Sequence, residues 1–353
     1  MLRRALLATV LMTGLACPAL AAERPAWAVV LHGGAGVIER AKLDPALEEA
    51  YRKGLTAALN AATTKLAAGA PALDAIEAAI QVLEDDPLFN AGRGAVFTAA
   101  GKNELDAAIM DGSNLKAGAV AGITRIKHPI SLARAVMEKS PHVMLIGEGA
   151  EQFGKEAGLE QVDPSWFFTE RRWQGLAETL KKQGVPMPER PAGAPPAPQK
   201  QGALPVDDIA TSHKFGTVGV VALDTRGNIA AGTSTGGVSG KKWGRVGDVP
   251  IIGAGTYANN ESCAVSATGA GEYFIRLGVA REICNLVKFK SMTLQAAADE
   301  VVQKQVPALG GDGGVVAITR DGQLAWSFNT SGMYRAKQVA DGTAQIGIFK
   351  DEK

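Results

Sequence analysis

Apolar positions change period along the chain, and each change marks an element. Trp27–His32 is a short apolar run that reads as a buried strand leading into His32-Gly-Gly-Ala-Gly36. Behind Asp44-Pro45, an N-cap with Pro in the first helical position, Leu47, Tyr51, Leu55, Leu59, Ala62 and Leu66 form a helical stripe. Pro71 opens a second helix with Leu73, Ile76, Ile80 and Leu83 inward. Glu104–Met110 and Lys116–Ile123 then read as strands around Asp111-Gly112, and Val143–Ile146 as a short strand between two helical stretches. Further on, Val218–Leu223 and Ile229–Ala231 flank a turn. Ser262–Ala267 is a strand followed by a helix to about Val287, and Leu294–Gln305 is another helix. Val315–Ile318 and Leu324–Phe328 are strands joined at Arg320-Asp321-Gly322. A helix pair, strands, strands again, helices and final strands predict an α+β fold. Its form is a four-layer αββα sandwich, two β-layers between two α-layers.

Composition adds three things. Seven of the 17 prolines lie between Pro186 and Pro205, so residues of about 185–212 read as an exposed, extended linker. The linker divides the chain into segments 23–216 and 217–353. These must share one domain, because the hairpin after the linker is too apolar to stand alone. Residues 1–22 have the form of a secretory signal: Arg3 and Arg4, the short apolar core Ala5–Leu15, and Ala19-Leu-Ala21 as cleavage site. The reading is an exported protein, periplasmic if its source is a Gram-negative bacterium. Without Arg3 and Arg4 the chain has 35 basic against 36 acidic side chains, which gives no reason to expect a nucleic-acid partner. No second apolar run suggests a membrane partner once the signal is removed. The remaining cysteines, Cys263 on a strand and Cys284 on a helix, are expected to be packing residues rather than a disulfide.

The densest chemistry lies from His213 to Gly237. If Asp224 and Asn228 close a three-residue loop with Gly227 in the left-handed position, paired residue numbers sum to 452. Val218 then faces Ser234, Thr217 faces Thr235, and Thr233 shares their side of the hairpin. The residues alone leave two readings open. Threonine has high strand propensity and pairs well across strands. Alternatively one threonine is a nucleophile whose own α-amine serves as base, which requires a cut between Gly216 and Thr217. Elsewhere, Arg245 and Asp248 on a glycine-bounded loop could grip a carboxylate and an ammonium, or form a surface ion pair. Thr268-Gly-Ala-Gly-Glu272, after a strand and opening a helix, could hold an oxyanion through its N–H groups. His32 reads as a hydrogen-bonded core residue. The acids in Leu83–Gly92 are a metal loop or a solvated helix end.

These residues together resemble a family. Gly216-Thr-Val-Gly-Val-Val-Ala-Leu-Asp224, Gly227-Asn-Ile-Ala-Ala-Gly-Thr-Ser-Thr-Gly-Gly237, Gly244-Arg-Val-Gly-Asp248, Ala267-Thr-Gly-Ala-Gly-Glu272 and His32-Gly-Gly-Ala-Gly36 are similar to the isoaspartyl peptidase/plant-type asparaginase family. Its members are self-cleaving N-terminal-nucleophile hydrolases, and the likeness covers most of the mature chain. It implies the αββα fold and cleavage at Gly216–Thr217. Thr217 would be the nucleophile, with Thr235 and Thr233 orienting it and Thr268 and Gly269 as oxyanion hole. Arg245, Asp248, Thr268, Gly269, Gly271 and Asn90 would bind substrate. The substrate would be asparagine or an isoaspartyl dipeptide. No catalytic metal or organic cofactor is expected, although residues 83–93 would wrap a structural sodium ion mainly through backbone carbonyls. The assembly would be a heterotetramer, a dimer of cleaved pairs. Two other readings are a glycosylasparaginase, whose branch usually has Asp where Gly216 stands, and an exported amino-acid binding protein using Arg245 and Asp248 without chemistry.

Overall fold

The Asp224–Asn228 turn sets the register of the hairpin on which the protein is built. Asp224 N–H donates to Asn228 O at 3.0 Å and Gly227 N–H to Asp224 O at 2.9 Å, with Gly227 at φ +82°. The Asp224 carboxylate closes the loop by accepting from the N–H groups of Arg226 and Asn228. Strands β5 (Val218–Leu223) and β6 (Ile229–Thr235) therefore pair as expected, Val218 with Ser234 through Leu223 with Ile229. The computed structural model describes residues 24–197 and 216–352. The signal segment and most of the linker after residue 197 lie outside the described residues. Residues 185–197 of the linker form neither helix nor strand.

Among the described residues twelve strands make two sheets. The others are β1 (Ala28–Gly36), β2 (Leu105–Asp111), β3 (Ala117–Ile123), β4 (Met144–Ile146), β7 (Thr256–Ala258), β8 (Cys263–Gly269), β9 (Gly313–Thr319), β10 (Leu324–Phe328), β11 (Gly332–Val339) and β12 (Gln345–Phe349). The larger sheet has the order β12-β11-β1-β5-β6-β2-β3-β4, and the smaller has the order β10-β9-β8-β7.

Side-chain alternation separates the core into three parts. Val218, Val220 and Ala222 pack under helices α1 (Pro45–Ala67) and α2 (Ala72–Asp85), together with Leu55, Leu59, Ile76 and Ile80. Their neighbours Val221 and Leu223 face the smaller sheet and meet Ala264, Val316 and Ile318. On the far side of that sheet Val265, Ala267, Val315 and Ala317 meet Ile283 and Leu286. At the α1 start, the Asp44 carboxylate accepts from the N–H groups of Ala46 and Leu47. The chain also forms α3 (Pro129–Lys139), α4 (Gly147–Glu156), α5 (Glu170–Gln183), α6 (Gly271–Leu277), α7 (Val279–Lys290) and α8 (Leu294–Asp299).

The structure departs from the sequence reading in several places. The helix expected to run to Val287 is broken by Gly278 at φ +60° into α6 and α7. The helix expected over Leu294–Gln305 widens to a π-helical segment at Glu300–Gln305. β11 and β12 were not expected, because β11 carries Arg335, Lys337 and Gln338. The buried Arg335 guanidinium lies 4.8 Å from the Trp326 ring centre, and its Nη1 and Nη2 donate to Met333 O and Phe349 O. A buried polar residue held in this way leaves no apolar alternation to read.

Cys263 and Cys284 form a disulfide, against the packing role expected of them. The strand and the helix face each other across the third core, with Cα atoms 5.2 Å apart, within bridging distance. The bridge ties β8 to α7. Its reduction, or Cys263→Ser with Cys284→Ser, should lower unfolding free energy by about 2–4 kcal/mol. Coincident denaturation curves with and without reductant would contradict a structural bridge.

Candidate functional site

The open end of the β5–β6 hairpin gathers the threonines against one carbonyl group. Thr217 Oγ lies 2.7 Å from Gly216 O and 3.0 Å from Thr235 Oγ, and Thr235 Oγ is 2.8 Å from Gly216 O. Asn90 Nδ2 donates to the same carbonyl at 2.8 Å and to Gly237 O at 2.8 Å. Gly237 N–H donates to Thr235 Oγ at 3.0 Å. A Cβ on Gly216 would stand 2.9 Å from the Asn90 Cβ, so this close approach suits glycine.

Asn90 arrives on a tight turn after α2. Its Oδ1 accepts from Val96 N–H, its own carbonyl accepts from Gly236 N–H, and the half-buried Arg172 guanidinium clamps the turn through Gly94 O and Leu88 O. The sequence placed Asn90 only by resemblance. The structure brings it to the Gly216–Thr217 junction.

Thr233 is on the expected side of the sheet but turns to other partners. Its Oγ is 2.7 Å from Ser266 Oγ and 2.7 Å from Thr256 Oγ, with no hydrogen bond to Thr217. Ser266 Oγ is 3.0 Å from His32 Nε2, and His32 Nδ1 is 3.2 Å from Thr217 O. A carbonyl only accepts, so Nδ1 carries the hydrogen and Nε2 accepts from Ser266. Complete burial pushes the His32 pKa down to about 3, which leaves the ring neutral. His32 is thus a satisfied buried residue, as read from the sequence, and it holds the Thr217 carbonyl. Ser266 carried no motif signal. Only the stacking of the smaller sheet on the larger, which sets β8 against β1 and β6, brings it into place.

The second group lies between the smaller sheet and the loop after β6. Arg245 Nε and Nη2 donate to the Glu272 carboxylate at 2.9 and 3.0 Å. A Cβ on Gly271 would meet Arg245 Nη2 and Asp248 Oδ1, each at 2.9 Å, so Gly271, Arg245 and Asp248 meet at one point. Asp248 is buried and its Oδ2 has no hydrogen-bond partner. Burial pushes its pKa up to about 7, partly offset by its own backbone N–H and by Arg245. An unpaired buried carboxylate oxygen beside an arginine suits a zwitterionic ligand. Thr268 and Gly269 end β8 at the same place, with Thr268 Oγ accepting from Ala35 N–H at 3.4 Å.

A family profile described as Asparaginase matches residues 25–348. The chain is 47% identical to the Escherichia coli isoaspartyl peptidase over 92% of its own length and 96% of that protein. It is 40% identical to the Arabidopsis thaliana probable isoaspartyl peptidase/L-asparaginase 2, over 92% and 99%. For the Xenopus laevis isoaspartyl peptidase/L-asparaginase the identity is 39%, over 92% and 96%. The chain belongs to the isoaspartyl peptidase/plant-type asparaginase family.

One buried group of this asparaginase-family chain escaped the sequence reading. Glu84 is not at a solvated helix end. It is buried beneath β6, where Oε1 accepts from Ser234 Oγ at 2.6 Å and from Ile130 N–H at 3.1 Å. Burial pushes its pKa up to about 8, against the pull of those two donors. In the unfolded chain the carboxyl ionises near 4.5. Between these values the folded state keeps a proton that the unfolded state has lost, so stability falls as pH rises through that window. Glu84→Gln keeps an acceptor oxygen and removes the proton. Its stability relative to the unchanged protein should therefore rise by roughly 1.4 kcal/mol per pH unit across the window. Chemical denaturation at pH 5, 6.5 and 8 measures this, and a constant difference would contradict it.

Proposed function

We propose that the chain is a self-cleaving threonine hydrolase. It removes β-aspartyl residues from isoaspartyl dipeptides and hydrolyses L-asparagine to L-aspartate and ammonia. The observation that carries this reading is the Gly216 carbonyl, which meets Asn90 Nδ2, Thr235 Oγ and Thr217 Oγ together. Two donors polarise the carbonyl and a hydroxyl stands beside it. Thr217 Oγ adds to that carbon, the C–N bond breaks, and the acyl group passes from nitrogen to oxygen as an ester. Water then cleaves the ester, freeing a carboxyl on Gly216 and an amine on Thr217.

In the cleaved enzyme the Thr217 amine takes the hydroxyl proton while Oγ attacks the aspartyl side-chain carbonyl. Thr235 orients the nucleophile. Thr233 acts more remotely, through Ser266 and His32. Thr268 Oγ and Gly269 N–H receive the oxyanion, the leaving amine takes the proton, and water resolves the acyl-enzyme. Arg245 grips the α-carboxylate and Asp248 the α-ammonium, with Gly271 leaving room between them. The glycosylasparaginase and binding-protein readings have less support. The relatives bear isoaspartyl peptidase and asparaginase names, and a binding protein needs no Gly–Thr junction.

The rest of the reading follows the same lines. The three-part core supports a four-layer αββα sandwich of the N-terminal-nucleophile type, shared by segments 23–216 and 217–353. The disulfide suits an exported, oxidising destination, periplasmic in a Gram-negative source. Among the described residues no helix is long and apolar enough to cross a membrane. The exposed side chains of Val143, Met144 and Ile146 on and beside edge strand β4 favour an assembly of cleaved pairs. The structural sodium ion expected over residues 83–93 would be held mainly by backbone carbonyl oxygens of the turn after α2, and would brace the turn bearing Asn90.

Arg245→Ala tests recognition. Truncating one partner of a buried charge pair costs about 2–5 kcal/mol, so KM for L-asparagine and for isoaspartyl dipeptides should rise by at least about thirtyfold. Unchanged KM on both would remove Arg245 from the site.

A further inference from the structure

Two buried charges outside the groups assigned above stand behind the nucleophile. Asp106 on β2 pairs with Thr235 across the ladder, and opposed residues project from the same face. Its Oδ1 accepts from Gly122 N–H at 2.9 Å, while Oδ2 is buried without a hydrogen-bond partner. Lys241 is 4% exposed. Its Nζ donates to Glu104 O at 2.8 Å and lies 3.9 Å from Glu104 Oε2. A Cβ on Gly237 would be 3.3 Å from Lys241 Nζ. Gly237 N–H donates to Thr235 Oγ, which is 3.0 Å from Thr217 Oγ. A buried ammonium therefore stands just behind the hydrogen-bond chain that ends on the nucleophile.

We propose that Lys241, with Asp106 as its counter-charge, is a positioning residue that keeps the α-amine released on Thr217 in its neutral, proton-accepting form. This rests on Thr217 acting through its own amine. An α-amine unperturbed at about 7.7–8.0 is mostly protonated at neutral pH and cannot serve as base. A fixed cation within one side-chain length of its hydrogen-bonded partner disfavours the ammonium, and a water-poor site strengthens the effect.

The other groups facing the junction do not supply that charge. His32 from β1 is neutral and Asn90 is uncharged. Arg245 Nη1 would stand 3.5 Å from the same Cβ on Gly237, but its guanidinium is bound through two other nitrogens to Glu272, and Asp248 lies beside it. Glu104 and Asp106 are the acids that interact with Lys241 and temper its field. Lys241 is the cation whose charged end reaches Gly237 without a bidentate carboxylate partner.

The test is the pH dependence of kcat at saturating L-asparagine, in which the acid limb reports the base in the substrate complex. Lys241→Met should move that limb to higher pH by about one unit, and Lys241→Arg should restore it. Asp106→Asn should move it the other way, because the cation loses its compensating charge. A merely structural role lowers the rate without displacing the limb in opposite senses. Coincident limbs in the unchanged enzyme, Lys241→Met and Asp106→Asn would overturn the proposal. If Lys241→Met does not fold, Asp106→Asn decides, since it is isosteric and keeps the acceptor for Gly122; an unmoved or upward limb overturns the proposal. An enzyme that never cuts yet remains fully active refutes the parent reading. A cut, active enzyme with unmoved limbs refutes only this one.

Discussion

The carbonyl oxygen of Gly216 is the constraint on which the site depends. It holds Asn90 Nδ2 and Thr235 Oγ at 2.8 Å each, with Thr217 Oγ at 2.7 Å. Each partner comes from a different part of the chain. Asn90 is set by the clamped turn after α2, Thr235 by the register of β5 and β6, and Thr217 by the start of β5. The Asp224–Asn228 loop fixes that register. A slip of one residue would turn Thr235 to the helix side, where Ser234 now meets Glu84. The hairpin turn thus governs chemistry at the opposite end of the strands.

Burial without full pairing shapes the electrostatics. Asp248, Asp106 and Glu84 are buried, each with a carboxylate oxygen that has no hydrogen-bond partner, and desolvation raises the pKa of all three. An unsatisfied buried acid costs stability, so it persists where something else depends on it. Asp248 faces the space beside Arg245 and Gly271, where a ligand ammonium would complete it. Asp106 stands among Lys241, Arg245 and Thr235. Glu84 keeps its proton at neutral pH and ties α2, β6 and the start of α3 together through neutral hydrogen bonds.

Much of this was legible in the sequence because it is local. Asp44-Pro45 announces α1, the spacing around Gly227 fixes the hairpin register, and glycine-bounded motifs mark Arg245, Asp248, Thr268 and Gly271. What could not be read arises from distant packing. Ser266 becomes a partner of His32 and Thr233 only when the smaller sheet stacks on the larger. Cys263 and Cys284 meet because α7 covers β8. Arg335 hides β11 by placing a buried guanidinium among carbonyls and aromatic rings, and Glu84 looks solvent-bound in an acidic run until α3 covers it. The structure brings Thr217, Thr235 and Asn90 together at the Gly216 carbonyl and sets Asp248 beside Arg245, whereas Thr233 hydrogen-bonds Ser266 and Thr256.

The proposed self-processing at Gly216–Thr217 is the step on which the mechanism depends, because only that cut would give Thr217 an amine. Intact mass and N-terminal sequencing of the purified protein, followed over time without added protease, address it directly. The expected result is conversion to two fragments, the second beginning at Thr217 and comprising residues 217–353, with hydrolysis of L-asparagine appearing in step. Thr217→Ala should remain one folded, inactive chain. A protein that stays whole and yet turns over aspartyl substrates at full rate would contradict the mechanism.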